Sequence, residues 1–316
     1  MNNIKKHVKK IGTLLSVVSI IFLFYSIYKL HIDFNQIVDL KGFLFVSIIG
    51  VLNLTLCVYL MAYGWCKSIT YLSNKQVKFK GIVKVYAKSN IGKYLPGNVM
   101  HFVERNIFAK GQGLSQIDVT TSTIVEIFCQ VFVAITISIA FSRDYLFDIM
   151  RSFFSGRYLI AIGVIIPIFI CMAFIGYEKN SKIQIVVKKI LRVNYIPTFL
   201  CVCLLYTLVL FLQGFQLLML LNLGFGCVLP VQQSLLVIAF FVMAWMIGFV
   251  VPGAPGGLGI RETVIVLLLS DIIGEDKVLC AALLFRLISI LADVLAYFIS
   301  FGIKSEINND IEERNE

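Results

Sequence analysis

The chain has 316 residues, 59% of them hydrophobic, and a mean hydropathy of +0.90, which places it among polytopic membrane proteins rather than soluble domains. Its polar stretches reach roughly thirty residues at most, too short for an independent soluble catalytic domain. The net charge of +10 fits basic cytoplasmic loops and anionic lipid, and no nucleic-acid partner is expected.

In chain order, Ile11–Leu30 follows Lys5, Lys6, Lys9 and Lys10 and reads as an uncleaved first span leaving the cytoplasm. It is too long for a signal-peptide core and lacks a small-residue cleavage site. HIDFNQIVDLK is an outer loop. Gly42–Trp65 is the second span, with Asn53, Thr55 and Tyr59 placed to pack against other helices. Lys67 to Lys93 holds seven lysines and no acid, which marks it as cytoplasmic. Within it, Phe79, Ile82, Val83 and Tyr86 recur at helical spacing opposite Lys80, Lys84 and Lys88. The pattern predicts a basic amphipathic helix on the membrane surface, or a solvated charged face with no lipid role. Lys93–Lys110 has only short apolar runs and is expected to be re-entrant from the cytoplasmic side.

Gln116–Phe141 is the third span, with Glu126 and Gln130 one turn apart; Arg143–Arg157 would lie outside. Tyr158–Tyr177 returns inward, Glu178–Tyr195 is basic and cytoplasmic, and Ile196–Leu223 goes out. After the uncharged turn GFGCVLP, Val231–Val251 is long enough to cross, Thr263–Ile273 is a half-span and Val278–Ile303 is the last span. The expected fold is an all-α polytopic membrane protein: an inverted repeat of two halves, about six spanning helices plus two re-entrant broken segments. Residues 1–316 form a single membrane domain, with 11–141 as the first repeat, 158–303 as the second and 304–316 as a disordered acidic tail. Both termini are expected in the cytoplasm of a cell (plasma) membrane protein.

Two stretches stand out. VPGAPGGLGIRE, from Val251 to Glu262, interrupts an apolar run with two prolines and four glycines. GKYLPGNVMHFVER, from Gly92 to Arg105, echoes it: Pro96-Gly97 precedes Arg105 as Pro252-Gly253 precedes Arg261, each arginine nine residues after its proline. Proline removes a backbone donor and glycine opens conformations closed to other residues. Broken backbone at membrane depth is tolerated only inside protein or beside a water-filled cavity. An ordinary interhelical loop is the plainer alternative.

These two stretches resemble the signature segments of the lysylphosphatidylglycerol synthase/flippase transmembrane family, which includes the membrane half of bacterial multiple-peptide-resistance proteins and stand-alone flippase-like proteins. The resemblance runs from about Ile11 to Ile303, and the glycine-rich segment with its Arg-Glu is the more specific motif. It implies a flippase-like protein that moves an anionic or aminoacylated phospholipid, or a lipid-linked glycan, between leaflets. Family members with synthase activity carry a soluble aminoacyl-transfer domain after the membrane part. Because this chain ends at KSEINNDIEERNE, lysyltransferase activity is the weaker expectation. A non-transporting partner of a lipid-modifying or polysaccharide-synthesis enzyme is the alternative.

Arg105 and Arg261 are the leading substrate-binding candidates, since guanidinium offers a planar fork of donors suited to phosphate. Glu104 and Glu262 are expected to neutralise them or to meet a cationic head group; a structural ion pair is the plainer reading. Pro96, Gly97, Asn98, Pro252, Gly253, Gly256, Gly257 and Gly259 shape the broken segments. Arg286 and Asp293, two turns apart in the last span, are expected to face the interior and to pair with Glu126 or the central stretch. His101 is a candidate proton-coupling group or a packing residue. Lys93 and Tyr94 are read as interfacial anchors. The eight cysteines show no CxxC spacing, so neither a metal site nor a disulfide framework is expected. No P-loop, HExxH or GxSxG occurs, so no enzyme activity, catalytic residue or cofactor is expected. The expected partners are membrane lipids, with a homo-oligomer or a lipid-modifying enzyme open.

Overall fold

The computed structural model describes residues 39–73, 76–95, 100–153, 184, 195–250, 255–257 and 259–303, with side chains of 144 and 146–153 left aside. The expected spans Ile11–Leu30 and Tyr158–Tyr177 and the tail 304–316 lie outside them. Among the described residues the protein is all-α, without strands. The helices are α1 (Leu40–Ser73), α2 (Phe79–Asn90), α3 (Met100–Gly111), α4 (Gln116–Phe153), α5 (Ile196–Met219), α6 (Val231–Val250), α7 (Ile260–Ile273) and α8 (Glu275–Gly302).

Five helices are long and apolar enough to cross a membrane: Leu40–Ser73, Gln116–Arg143, Ile196–Gly224, Val231–Val250 and Glu275–Gly302. Four coincide with expected spans; the fifth is the segment whose crossing the sequence left open. α7, with 14 residues, extends roughly 21 Å at 1.5 Å per residue, less than the roughly 30 Å hydrocarbon core.

The α2 segment departs from expectation. Its apolar face does not rest on a membrane surface. Ile82, Val83 and Tyr86 are buried in a cluster with Trp65 and Ile69 of α1, and α2 packs on α1, α3 and α8. Periodicity identifies an apolar face but not whether lipid or protein covers it. Lys80 remains exposed, and Lys88 Nζ lies 4.4 Å from the Phe108 ring centroid.

Each break has a local cause. α2 continues as a 3₁₀ turn, Ile91–Tyr94, and ends at Leu95 with ψ 150°, the extended conformation imposed on a residue that precedes proline. The second break ends in the turn Pro255–Gly257, where Gly256 and Gly257 have φ of 57° and 75°, values that favour glycine. α7 begins with a capping box, Gly259 N–H donating to Glu262 Oε2 at 2.7 Å. α4 kinks at Ser142 (φ −130°), whose Oγ donates to the Ser138 carbonyl at 2.6 Å.

Packing follows one pattern in both halves. α1 packs on α2 as α5 does on α6, and α2 on α3 as α6 does on α7. α3 meets α4 as α7 meets α8, α2 meets α8 as α6 meets α4, and α1 meets α8 as α5 meets α4. α1 and α5 pair at the centre, where Asn53 Nδ2 donates to the Leu212 carbonyl and Gln216 Nε2 to the Val46 carbonyl, both at 3.1 Å. The two breaks touch: a Cβ on Gly256 would lie 3.4 Å from the Lys93 carbonyl oxygen.

Candidate functional site

Where the breaks meet, a cavity of about 130 Å³ opens beside the middle of α1 and α8. Its charged lining comprises Lys93, Arg105, Arg261 and Arg286 against Glu126, Glu262 and Asp293. Arg105 and Arg261, 156 residues apart in sequence, thus face one space.

Arg105 is 1% exposed. Its Nη1 pairs with Glu126 Oε2 on α4, and its guanidinium carbon lies 4.0 Å from the Tyr86 ring centroid and 5.1 Å from that of Trp65. The Tyr86 hydroxyl donates to the other Glu126 oxygen at 2.6 Å. Glu126, not Glu104, neutralises this arginine. Neighbours in a helix point about 100° apart, so adjacency in sequence does not pair them. Glu104 is fully buried on the side of Gly92, where a Cβ would come within 2.8 Å of its Oε2, and it does not line the cavity. The Arg105 Nε donor has no hydrogen-bond partner.

Arg261 differs. Glu262 is committed to the Gly259 amide, and among the described residues no carboxylate lies within ion-pair distance of Arg261. Its guanidinium carbon sits 5.7 Å from the Trp245 ring centroid, and its buried Nε has no acceptor. Trp245 stacks on Phe249 at 5.3 Å, and Phe249 meets Phe102 of α3 edge-on at 6.4 Å, so aromatic rings join the two broken segments above the arginine.

The glycines of the second break make room for guanidinium groups. A Cβ on Gly256 would lie 2.7 Å from Arg286 Nη2, and one on Gly257 would lie 2.6 Å from Arg261 Nε. Arg286 Nη1 donates to the Gly256 carbonyl at 2.8 Å, so Arg286 meets the central stretch as expected. Gly259, with φ of 83°, supplies the α7 cap.

Asp293 ties α8 to the first break. It accepts from Asn90 Nδ2 at 2.7 Å and the Tyr94 hydroxyl at 2.5 Å, and pairs with Lys93 Nζ at 2.7 Å. Lys93 and Tyr94 are therefore site residues rather than interfacial anchors, and Tyr94 is 0% exposed. His101 is 8% exposed and lines the cavity with a partnerless Nδ1. Pro96, Gly97, Asn98, Pro252 and Gly253 lie outside the described residues.

Sequence reasoning missed Lys93, Tyr94, Asn90, Tyr86, Trp245 and Gln213 as site residues. The readable signal for Gln213 was an amide inside an otherwise apolar helix. Tyr86 and Trp245 carry no such mark, since aromatic residues at helical spacing fit a core equally well. Among the described residues no group of His, Cys, Asp and Glu is arranged to hold a metal ion. Neither family models nor curated proteins give a match to the chain.

Proposed function

We propose that the protein is a flippase-like lipid translocase of the lysylphosphatidylglycerol synthase/flippase transmembrane family, with the head-group phosphate received in this cavity. The observation that carries the reading is the convergence of Arg105 and Arg261, from the two broken segments, on one cavity where the Nε donor of each lacks an acceptor. A buried donor without a partner costs about 1–3 kcal/mol, and a phosphate oxygen would offset it. In this reading the matching packing of the two halves is an inverted repeat, α2/α3 entering from the cytoplasmic face and α6/α7 from the opposite one, with the breaks meeting near the midplane. Lys93, Arg286 and His101 complete the polar lining, and the Phe102–Phe249–Trp245 ring series forms the apolar wall along which the ester leaves toward the acyl chains.

The test is Arg261→Lys beside Arg261→Ala in the full chain, reconstituted in vesicles with fluorescent phospholipids. No carboxylate depends on Arg261, so both variants are expected to accumulate normally. Translocation is expected to fall in both, roughly tenfold or more, because lysine keeps the charge but loses the fork. Full transport by the lysine variant together with loss of protein in the alanine variant would assign Arg261 a structural role and defeat the reading.

A further inference from the structure

The charge economy of the cavity narrows the ligand, resting on the reading that a lipid phosphate enters it. Three carboxylates line the space, and each is already engaged by the chain itself. Glu126 takes Tyr86 and Arg105, Asp293 takes Asn90, Tyr94 and Lys93, and Glu262 takes the Gly259 amide. Against them stand four cationic side chains, an excess of one positive charge. The stretches 96–99 and 251–254, at the two breaks, carry no ionisable side chain.

An ammonium-bearing head group would meet three disadvantages. No carboxylate is left to receive it, the Trp245 face already carries Arg261, and an excess of positive charge in a low-dielectric space repels it. What the cavity does offer is neutral. Gln130 of α4 touches only Met61 Sδ, at 3.9 Å, and Gln213 of α5 makes no hydrogen bond among the described residues. Both amides line the cavity beside the arginines. An amide both donates and accepts, which suits a hydroxyl.

We infer that the cavity is built for a phosphodiester with one negative charge and an uncharged, hydroxyl-bearing head group such as glycerol or another polyol, and that it discriminates against ammonium-bearing head groups, aminoacylated lipids included. Arg261 and Arg105 take the phosphate oxygens, and Gln130 and Gln213 take the hydroxyls. The same chemistry exists in a soluble phosphate ester, so the test separates the two sources.

The purified full chain in neutral detergent is titrated with phosphatidylglycerol, phosphatidylethanolamine, lysyl-phosphatidylglycerol and soluble glycerol 3-phosphate. Binding is read by native mass spectrometry and by the shift of the thermal midpoint. Phosphatidylglycerol is expected to bind at least tenfold tighter than either ammonium-bearing lipid. Equal or tighter binding of phosphatidylethanolamine or the lysyl lipid, or no binding by any probe, overturns the inference. Gln213→Glu places a free carboxylate in the cavity and is expected to narrow the preference at least fivefold. If that variant fails to accumulate, Gln130→Leu decides: it should weaken phosphatidylglycerol severalfold while leaving phosphatidylethanolamine unchanged, and an unaltered ratio counts against the inference. The translocase reading is scored separately in vesicles. A phosphatidylglycerol preference without lipid movement, or binding of glycerol 3-phosphate alone, upholds the head-group inference and defeats translocation.

Discussion

The two arginines occupy related places and have unlike surroundings. Arg105 is neutralised by Glu126 and clasped by the Tyr86 and Trp65 rings, whereas Arg261 faces the cavity with an aromatic neighbour and no carboxylate. Removing one partner of a buried pair leaves an uncompensated charge and costs about 3–5 kcal/mol. Glu126→Gln is therefore expected to lower the thermal midpoint of the purified protein and its membrane abundance sharply. Arg105→Met in the same background should restore part of that loss, since a hydrophobic replacement of both charges removes the orphan. If Glu126→Gln melts with the parent, the pair is not what holds α3 to α4.

At the scale of elements, what matters is how closely helix backbones and side chains approach at glycine. A Cβ on Gly248 of α6 would lie 2.4 Å from Arg261 Cγ, so the substitution has to move the arginine. Alanine also raises helix propensity by about 1 kcal/mol over glycine. Gly248→Ala is thus expected to fold with a thermal midpoint at or near that of the parent while lipid translocation drops on the order of tenfold. Gly214 of α5 provides the contrast: there a Cβ would meet Ile238 Cα at 3.1 Å and Cγ2 at 2.9 Å, in the seam between α5 and α6. Gly214→Ala should push those helices apart and destabilise without a selective effect on transport. Equal thermal losses in the two variants would show that Gly248 serves packing rather than placement of Arg261.

For the whole molecule, the proposed inverted repeat makes a topological prediction. The α3–α4 turn and the α5–α6 loop should lie on opposite faces, the first cytoplasmic and the second outside. Ser115 and Val228 are both exposed, the latter at 97%. Each is replaced by cysteine, one at a time, in a chain whose eight native cysteines are removed. In intact cells Val228→Cys should react with an impermeant maleimide, and Ser115→Cys should react only after lysis. Labelling of both from the same side would defeat the inverted arrangement, whatever the cavity binds.

By itself the sequence determined the helical class, the four spans that fall within the described residues, the positions of the two breaks and the arginines that follow them. Apolar runs of some twenty residues and Pro-Gly interruptions have few other physical solutions in hydrocarbon. Partnership was decided only in three dimensions. The sequence placed Glu104 beside Arg105 and Glu262 beside Arg261, yet the structure gives Arg105 to Glu126 and Glu262 to a helix cap, because consecutive helical residues diverge while distant helices converge. It likewise turned the face of α2 inward and carried Lys93 and Tyr94 to Asp293, some 200 residues away. Periodicity records which residues avoid water; which of them share a cavity depends on how the helices pack against one another, and that is a property of the whole chain.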